Sequence, residues 1–425
     1  MNYNNPRHQQ TAGIVRFSCS LLFLLFSFCY LFFMQGELLA EAQYVFSEGL
    51  THYNILVGAI IIPIVLQVVQ MLVAWIVRLP SRFHALSYFP SFLALAVLTD
   101  LSRERLAEES FAPWTWWIPI LLVVWILLVF VLRQWERYGS LAEASKDFGA
   151  ILWPNYLVLF AMILFCGLTN RADDVFLYEL KAERLILEQR YEEAAQVAIN
   201  ADATSPRLNN LRHFALAKMG HENLPERMFL YPQPYGVEGL LVLSDTTSHL
   251  ERLTVTDITA RLGAHTDALD MPVERFLQKA LHLQQAHLDS LLAVDSLYLA
   301  NANDSIRHQH AGAVGTLRRH VRTTADYRLC ALLLKKDLPQ FVAEIPEFYP
   351  QVEDTLDEVR ASLPLAYRQA LAIMAPQLTD STTLHQYYDY AAMLDTLSTP
   401  RSRRNLSLYE HGRNYWWYFE FQPLP

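Results

Sequence analysis

Four apolar runs in the first 170 residues, at 17–34, 54–77, 115–132 and 151–168, carry no charged side chain. Crossing about 30 Å of hydrocarbon takes about 20 such residues, and a helix is the form that satisfies every backbone group from within its own segment. These runs therefore predict spanning helices. A fifth run, 83–99, is shorter, holds His84 and is interrupted by Pro90; it too is expected to cross, giving about five spans. Residues 1–170 read as a transmembrane helical domain and residues 171–425 as a soluble one. Gln67 and Gln70, three apart on one helical face, are expected to bond a neighbouring helix.

The first run exceeds the 7–15 apolar residues of a secretory signal and lacks a small-residue cleavage site, so it reads as an uncleaved anchor. Charge orients the bundle, because basic loop residues stay on the cytoplasmic side during insertion. With five crossings and the N-terminus inside, the inner segments hold Arg7, Arg16, Arg78, Arg82, Arg133, Arg137 and Lys146, whereas the outer loops hold Arg103 and Arg105. The expected location is the inner membrane, multi-pass, with everything after Thr169 in the periplasm. At the outer surface, Trp114, Trp116 and Trp117 suit the headgroup layer. Arg103, Arg105 and Glu108 beside them offer phosphate-binding and acid–base groups; the competing reading is a solvated turn with an interfacial tryptophan belt.

Basic and acidic residues number 9 and 10 up to residue 170, and 25 and 33 after it. An acidic soluble half argues against nucleic acid, which demands clustered Lys and Arg. The 4 cysteines, Cys19, Cys29, Cys166 and Cys330, show no metal spacing and no disulfide framework. No metal, no cofactor and no catalytic residue is expected from local motifs.

After Asp173 the apolar spacing is helical throughout. In the stretch from Asp173 to Pro206, Ala182 and Leu185 precede a break at Gln189-Arg190, then Tyr191, Ala194, Ala198 and Ala201 follow, and Pro206 closes the unit. This segment resembles a tetratricopeptide repeat, in which small residues let two antiparallel helices approach and the aromatic fills the groove. Pro232, Pro234, Gly236 and Gly239 mark a sub-boundary near 231–270. A long helix starts after Asp270 and Pro272, with Phe276, Leu277, Ala280 and Leu281 on its apolar stripe, and helix pairs follow at 326–335 with 339–345 and 364–375 with 383–397. The fold class predicted is all-α: a transmembrane bundle followed by a tetratricopeptide-like α-helical solenoid.

Residues 306–321, with His308, His310, His320, Arg307, Arg318 and Arg319, read as a mobile basic linker because Gly312 and Gly315 lie within it. The C-terminus, with Arg413, Tyr415, Trp416 and Trp417, is dense in rings and cations, and offers either a partner-binding patch or a cap docked on the solenoid. Seven Asp-Ser/Thr triplets begin at Asp245, Asp289, Asp295, Asp304, Asp354, Asp380 and Asp395. They resemble the O-glycosylation acceptor of Bacteroidota periplasmic proteins, with Ser305, expected in a loop, the foremost candidate.

The order of spans, repeat-like unit, the segments Asp326-Tyr327-Arg328-Leu329 and Phe348-Tyr349-Pro350, the 363–370 helix and the aromatic end resembles an uncharacterised membrane-protein family of Bacteroidota. That resemblance implies architecture and no activity. The expected function is a membrane-anchored helical scaffold that binds a protein partner of the cell envelope, in contact with the lipid bilayer. The alternative is a membrane enzyme or carrier for lipid-linked glycans, built on residues 100–117.

Overall fold

The structure, a computed structural model, describes residues 6–47, 50–51, 53–102, 112–138, 148–169, 173–199, 201, 204–220, 223–241, 272–293 and 304–424. Every regular element among them is helical. They form two compact units, meeting at Leu180 and Lys181, ten residues beyond the boundary expected at 170.

The first unit contains α1 (Pro6–Cys29), which runs on through a π turn at Tyr30–Met34, then α2 (Gly36–Phe46), α3 (Ile55–Val77), a 3-10 segment (Ser81–Tyr88), α4 (Phe89–Thr99), α5 (Ala112–Tyr138) and α6 (Phe148–Thr169). Local chemistry sets the ends. The Asn54 side chain accepts from the Val57 amide at 3.1 Å to open α3, and Arg78 in the left-handed region closes it, with Pro80 following. Among the described residues four helices are long and apolar enough to cross a membrane: Ala12–Met34, Ile55–Val77, Trp114–Gln134 and Ile151–Thr169. Their outer faces show Val68, Leu72, Val124 and Leu157 more than half exposed, a surface that suits hydrocarbon and not water.

The fifth run is not a helix of that kind. It lies inside the unit as Ser81–Tyr88 joined to α4, and His84, Ala85, Leu86, Ser87, Tyr88, Phe92, Leu95 and Thr99 are buried. Its backbone is irregular at Phe83, which the surrounding side chains make affordable. The Asn155 carboxamide accepts from the Ala85 amide at 2.7 Å and donates to the Ser81 carbonyl at 2.9 Å. The Trp125 indole donates to the Leu86 carbonyl at 3.0 Å, and Gln70 donates to the Ser87 hydroxyl at 2.8 Å. Gln67 donates to Gln70 at 2.9 Å within α3, so of the expected pair it is Gln70 that carries the bond to the neighbouring segment. At the opposite end Tyr30 and Thr99 share a hydroxyl hydrogen bond of 3.2 Å, and Tyr30 also reaches the Cys166 carbonyl at 3.5 Å. The segment thus runs alongside α6 from Asn155 to Cys166, in the same direction.

The second unit begins within α7 (Asp174–Leu187) and continues with α8 (Tyr191–Gln196), α9 (Pro206–Met219), α10 (Asn223–Arg227), α11 (Val273–Leu292), α12 (Asp304–Leu334), α13 (Leu338–Phe348), α14 (Asp357–Arg360), α15 (Leu365–Met374), α16 (Ser381–Thr396), α17 (Pro400–His411) and α18 (Tyr415–Phe421). The helix expected after Pro272 and the two expected pairs are present as α11, α12 with α13, and α15 with α16. In the α7–α8 hairpin Ala182, Leu185 and Ala194 are buried and Tyr191 half-buried, and the helix that packs closely on α8 is α9. The second helix of that hairpin, however, stops at Gln196. Ala198 sits in the left-handed region at φ 54°, so neither it nor Ala201 belongs to the helix, and Pro206 starts α9. The cause is long-range: Arg212, from α9, donates to the carbonyls of Ala195 and Val197 at 2.9 Å each, occupying groups that further helical turns would have used.

Beside Arg212, His213 is fully buried with Nδ1 2.9 Å from the Gly239 carbonyl. Burial, reinforced by the Arg212 charge, holds its pKa down to about 3. The folded chain therefore keeps a neutral imidazole that the unfolded chain protonates below about 6.5. Stability is complete above that value and falls as pH drops toward 3, by about 1.4 kcal/mol per unit. A loss of about 2 kcal/mol between pH 7 and pH 5 is expected in urea unfolding of the full chain, and His213→Gln should flatten that slope.

Candidate functional site

Helices α11 and α12 pack side by side. Phe276, Leu277, Ala280 and Leu281 face inward from the first, and Leu317 and Ala325 from the second. Thr324 donates to the Gln284 carboxamide at 2.8 Å across the seam, while Gln285 donates to Glu347 at 2.9 Å, tying α11 to the end of α13. Where the three elements meet, a cleft of about 830 Å³ opens.

The cleft has an apolar floor of Leu288, Val321 and Phe348, with His282, Arg318, Arg319 and Arg322 around it and Asp289 and Glu347 at its edge. Arg322 is fixed: it donates to the Phe348 carbonyl, and its guanidinium carbon lies 3.4 Å from the Tyr349 ring centre. Tyr349 is in turn held by donating to Asp326 at 2.6 Å, an oxygen that also accepts from Tyr367 at 3.1 Å. Arg318 and Arg319 are exposed; Arg319 donates to Thr316 at 3.3 Å, and neither makes an ion pair among the described residues. Three arginines thus converge on one concave surface of a half-chain that is acidic overall. Such a site can grip carboxylates bidentately and cover an apolar side chain at the same time.

This corrects two expectations. Residues 306–321 are no mobile linker: they belong to the 31-residue α12. Ser305, expected in a loop, lies in the first turn of the same helix. Leu317, Val321 and Ala325 recur at four-residue spacing, the signal that could have revealed it. His310 places Nε2 3.0 Å from the Leu291 carbonyl, and among the described residues no group of three or more His, Cys, Asp or Glu is placed to hold a metal ion.

The aromatic C-terminus is docked. Tyr415 and Trp416 are buried, so neither is open to a partner; Trp417 is half-buried and Arg413 exposed. The Trp416 indole donates to the Gln369 carbonyl at 2.9 Å, and the Tyr415 and Tyr418 hydroxyls donate to Leu333 and Leu334 carbonyls at 3.3 and 2.7 Å. Lys336, left-handed at φ 61° just past α12, donates to the carbonyls of Phe419 and Gln422 at 2.6 Å each, which satisfies the free end of α18. Lys336→Met should cost about 1–2 kcal/mol in chemical denaturation by leaving those carbonyls unpaired.

At the surface proposed for the enzyme alternative, Arg103, Arg105 and Glu108 lie outside the described residues. Trp114 is buried and donates to Asp100 at 2.7 Å, while Trp116 is exposed. Asp100 and Trp114 are thereby committed to each other.

No curated protein and no solved structure matches the chain. A family model described as a family of unknown function (DUF6057) matches residues 104–295 and 316–422.

Proposed function

The chain belongs to the DUF6057 family, whose function is unknown, and we propose that it is a multi-pass inner-membrane scaffold whose helical second unit holds a protein partner of the cell envelope on the periplasmic side. The observation that carries this reading is the cleft between α11, α12 and α13. Its mixture of fixed arginine, exposed arginines and apolar floor is the chemistry of peptide recognition, where anchors and charges act together.

The side of the membrane follows from the number of passes. The 3-10 segment and α4 together rise at most about 32 Å, the bend at Phe83 shortening the span, against about 30 Å of hydrocarbon. Their contacts with both ends of α6 support a fifth crossing, wrapped by the other four. Five passes with the N-terminus held inside by its basic loops carry the second unit outward. Burial of the small residues Ala182 and Ala194 supports the tetratricopeptide-like reading, and helical repeats of that kind offer concave surfaces suited to a partner.

Two measurements test this. Alkaline phosphatase fused after Pro425 is expected to be active and the same enzyme fused after Lys146 inactive; the reverse pattern would remove the periplasmic reading. A photocrosslinker at the exposed cleft residue Ala286 is expected to yield a protein adduct in native membranes, and absence of any adduct would remove the cleft as a binding site.

A further inference from the structure

The partner chemistry that the cleft requires is present on the chain itself. Residues 353–358 carry Glu353, Asp354, Asp357 and Glu358 around Leu356. The turn is rigid: Asp354 accepts from the Leu356 amide at 2.9 Å, Arg360 donates to the Asp354 carbonyl at 2.6 Å, and Asp357 accepts from the Ser381 amide and hydroxyl at 2.7 Å each. Two carboxylates are spent in that way. Glu353 and Glu358 are exposed and make no hydrogen bond or ion pair among the described residues, and Leu356 between them is 63% exposed. A leucine presented on a fixed turn, flanked by unpaired carboxylates, has the shape and sign of what an arginine-rimmed apolar cleft binds.

We propose that a second copy of this chain occupies the cleft, seating Leu356 on Leu288, Val321 and Phe348 with Glu353 and Glu358 against Arg318 and Arg319. The proposal rests on the cleft being a protein-binding site. Phe348 lines the cleft and the 3-10 turn Pro350–Glu353 follows it almost directly, so each copy carries donor and acceptor features close together. A pairing in which each gives one turn and receives one closes as a two-fold dimer. Two copies inserted in one bilayer share their orientation, which permits a two-fold axis along the membrane normal and confines them to a plane where encounter is frequent.

Charge reversal provides the test. The full chain in lipid nanodiscs or detergent, at low salt, is expected to have the protein mass of a dimer by light scattering. R318E/R319E and E353R/E358R should each give monomer, and the four changes combined should restore the dimer, since opposite charges then face each other again. Raising salt should weaken the unaltered dimer. A monomeric unaltered chain, or reversed variants that stay dimeric, would overturn the proposal. The Ala286 crosslinker separates the two readings. An adduct of two copies of this chain supports the dimer. An adduct with another protein overturns the dimer while leaving a partner-binding cleft, and no adduct overturns both.

Discussion

Asn155→Leu is expected to lower the stability of the membrane unit by about 2–6 kcal/mol, seen as a shifted midpoint when the full chain is titrated with denaturing detergent. The magnitude follows from what the side chain holds. Asn155 is fully buried, accepts from Ala85 and donates to the carbonyls of Ser81 and Ile151 at 2.9 and 2.7 Å. Leucine keeps the branching of the asparagine side chain with none of these bonds, and its bulkier methyl groups add to the loss. The Ala85 amide and Ser81 carbonyl belong to a 3-10 segment broken at Phe83, whose own turns offer poorer partners than an α-helix would. Each buried orphan costs about 1–3 kcal/mol, with the upper end favoured where water is excluded. Leu157→Ala, two residues on and 70% exposed on the apolar surface, should change little in the same titration. Equal stability of Asn155→Leu and the unaltered chain would mean that the 3-10 segment is held by packing alone.

That segment also shows what a sequence can and cannot disclose about this fold. Hydropathy finds the four helices long and apolar enough to cross a membrane, because an apolar outer surface shows in a local window whatever the neighbours are. Residues 81–99 face protein on most sides, with Ala94 and Leu98 exposed, so His84, Ser87, Ser91 and Pro90 are tolerated by partners that lie far away in the chain, among them Asn155 and Leu66, whose carbonyl accepts from Ser91 at 2.8 Å. No local window contains those partners. The same holds for the cleft. Gly312, Gly315 and the basic residues around them argue for a linker when read alone, and helix α12 exists there because α11 lies alongside. The C-terminal rings were legible as a burial problem, since so many aromatic groups cannot all stay wet, but the group that decides their seat is Gln369, which bonds both the Tyr415 amide and, through its carbonyl, the Trp416 indole. Some helix starts lie in short local signals, since Asp380 and Asp337 accept from the Thr383 and Gln340 amides at 2.9 and 3.2 Å as ordinary caps, whereas α12, expected from 326, begins at Asp304.

The second large effect is expected from Arg212→Met, with a loss of about 2–5 kcal/mol in the stability of the second unit by urea unfolding. Arg212 is almost fully buried and has no carboxylate partner among the described residues; burial draws its pKa below the usual arginine value. Its charge is instead shared among the Ala195 and Val197 carbonyls, the Asn209 side chain at 3.1 Å and the Tyr231 ring, 5.0 Å from the guanidinium carbon. Replacing a buried ion pair with apolar residues is often harmless because both charges leave together. That escape is closed here, because the acceptors are backbone carbonyls that stay behind. Methionine fills the space and relieves the buried charge, but it leaves two carbonyls at the end of α8 without donors, at about 1–3 kcal/mol each. Arg212→Lys should recover only part of the loss, since one ammonium lacks the planar fork that reaches both carbonyls. A methionine variant as stable as the unaltered chain would show that α8 ends where it does for local reasons, and that the departure from the tetratricopeptide pattern lies in Ala198 and its neighbours instead of in α9.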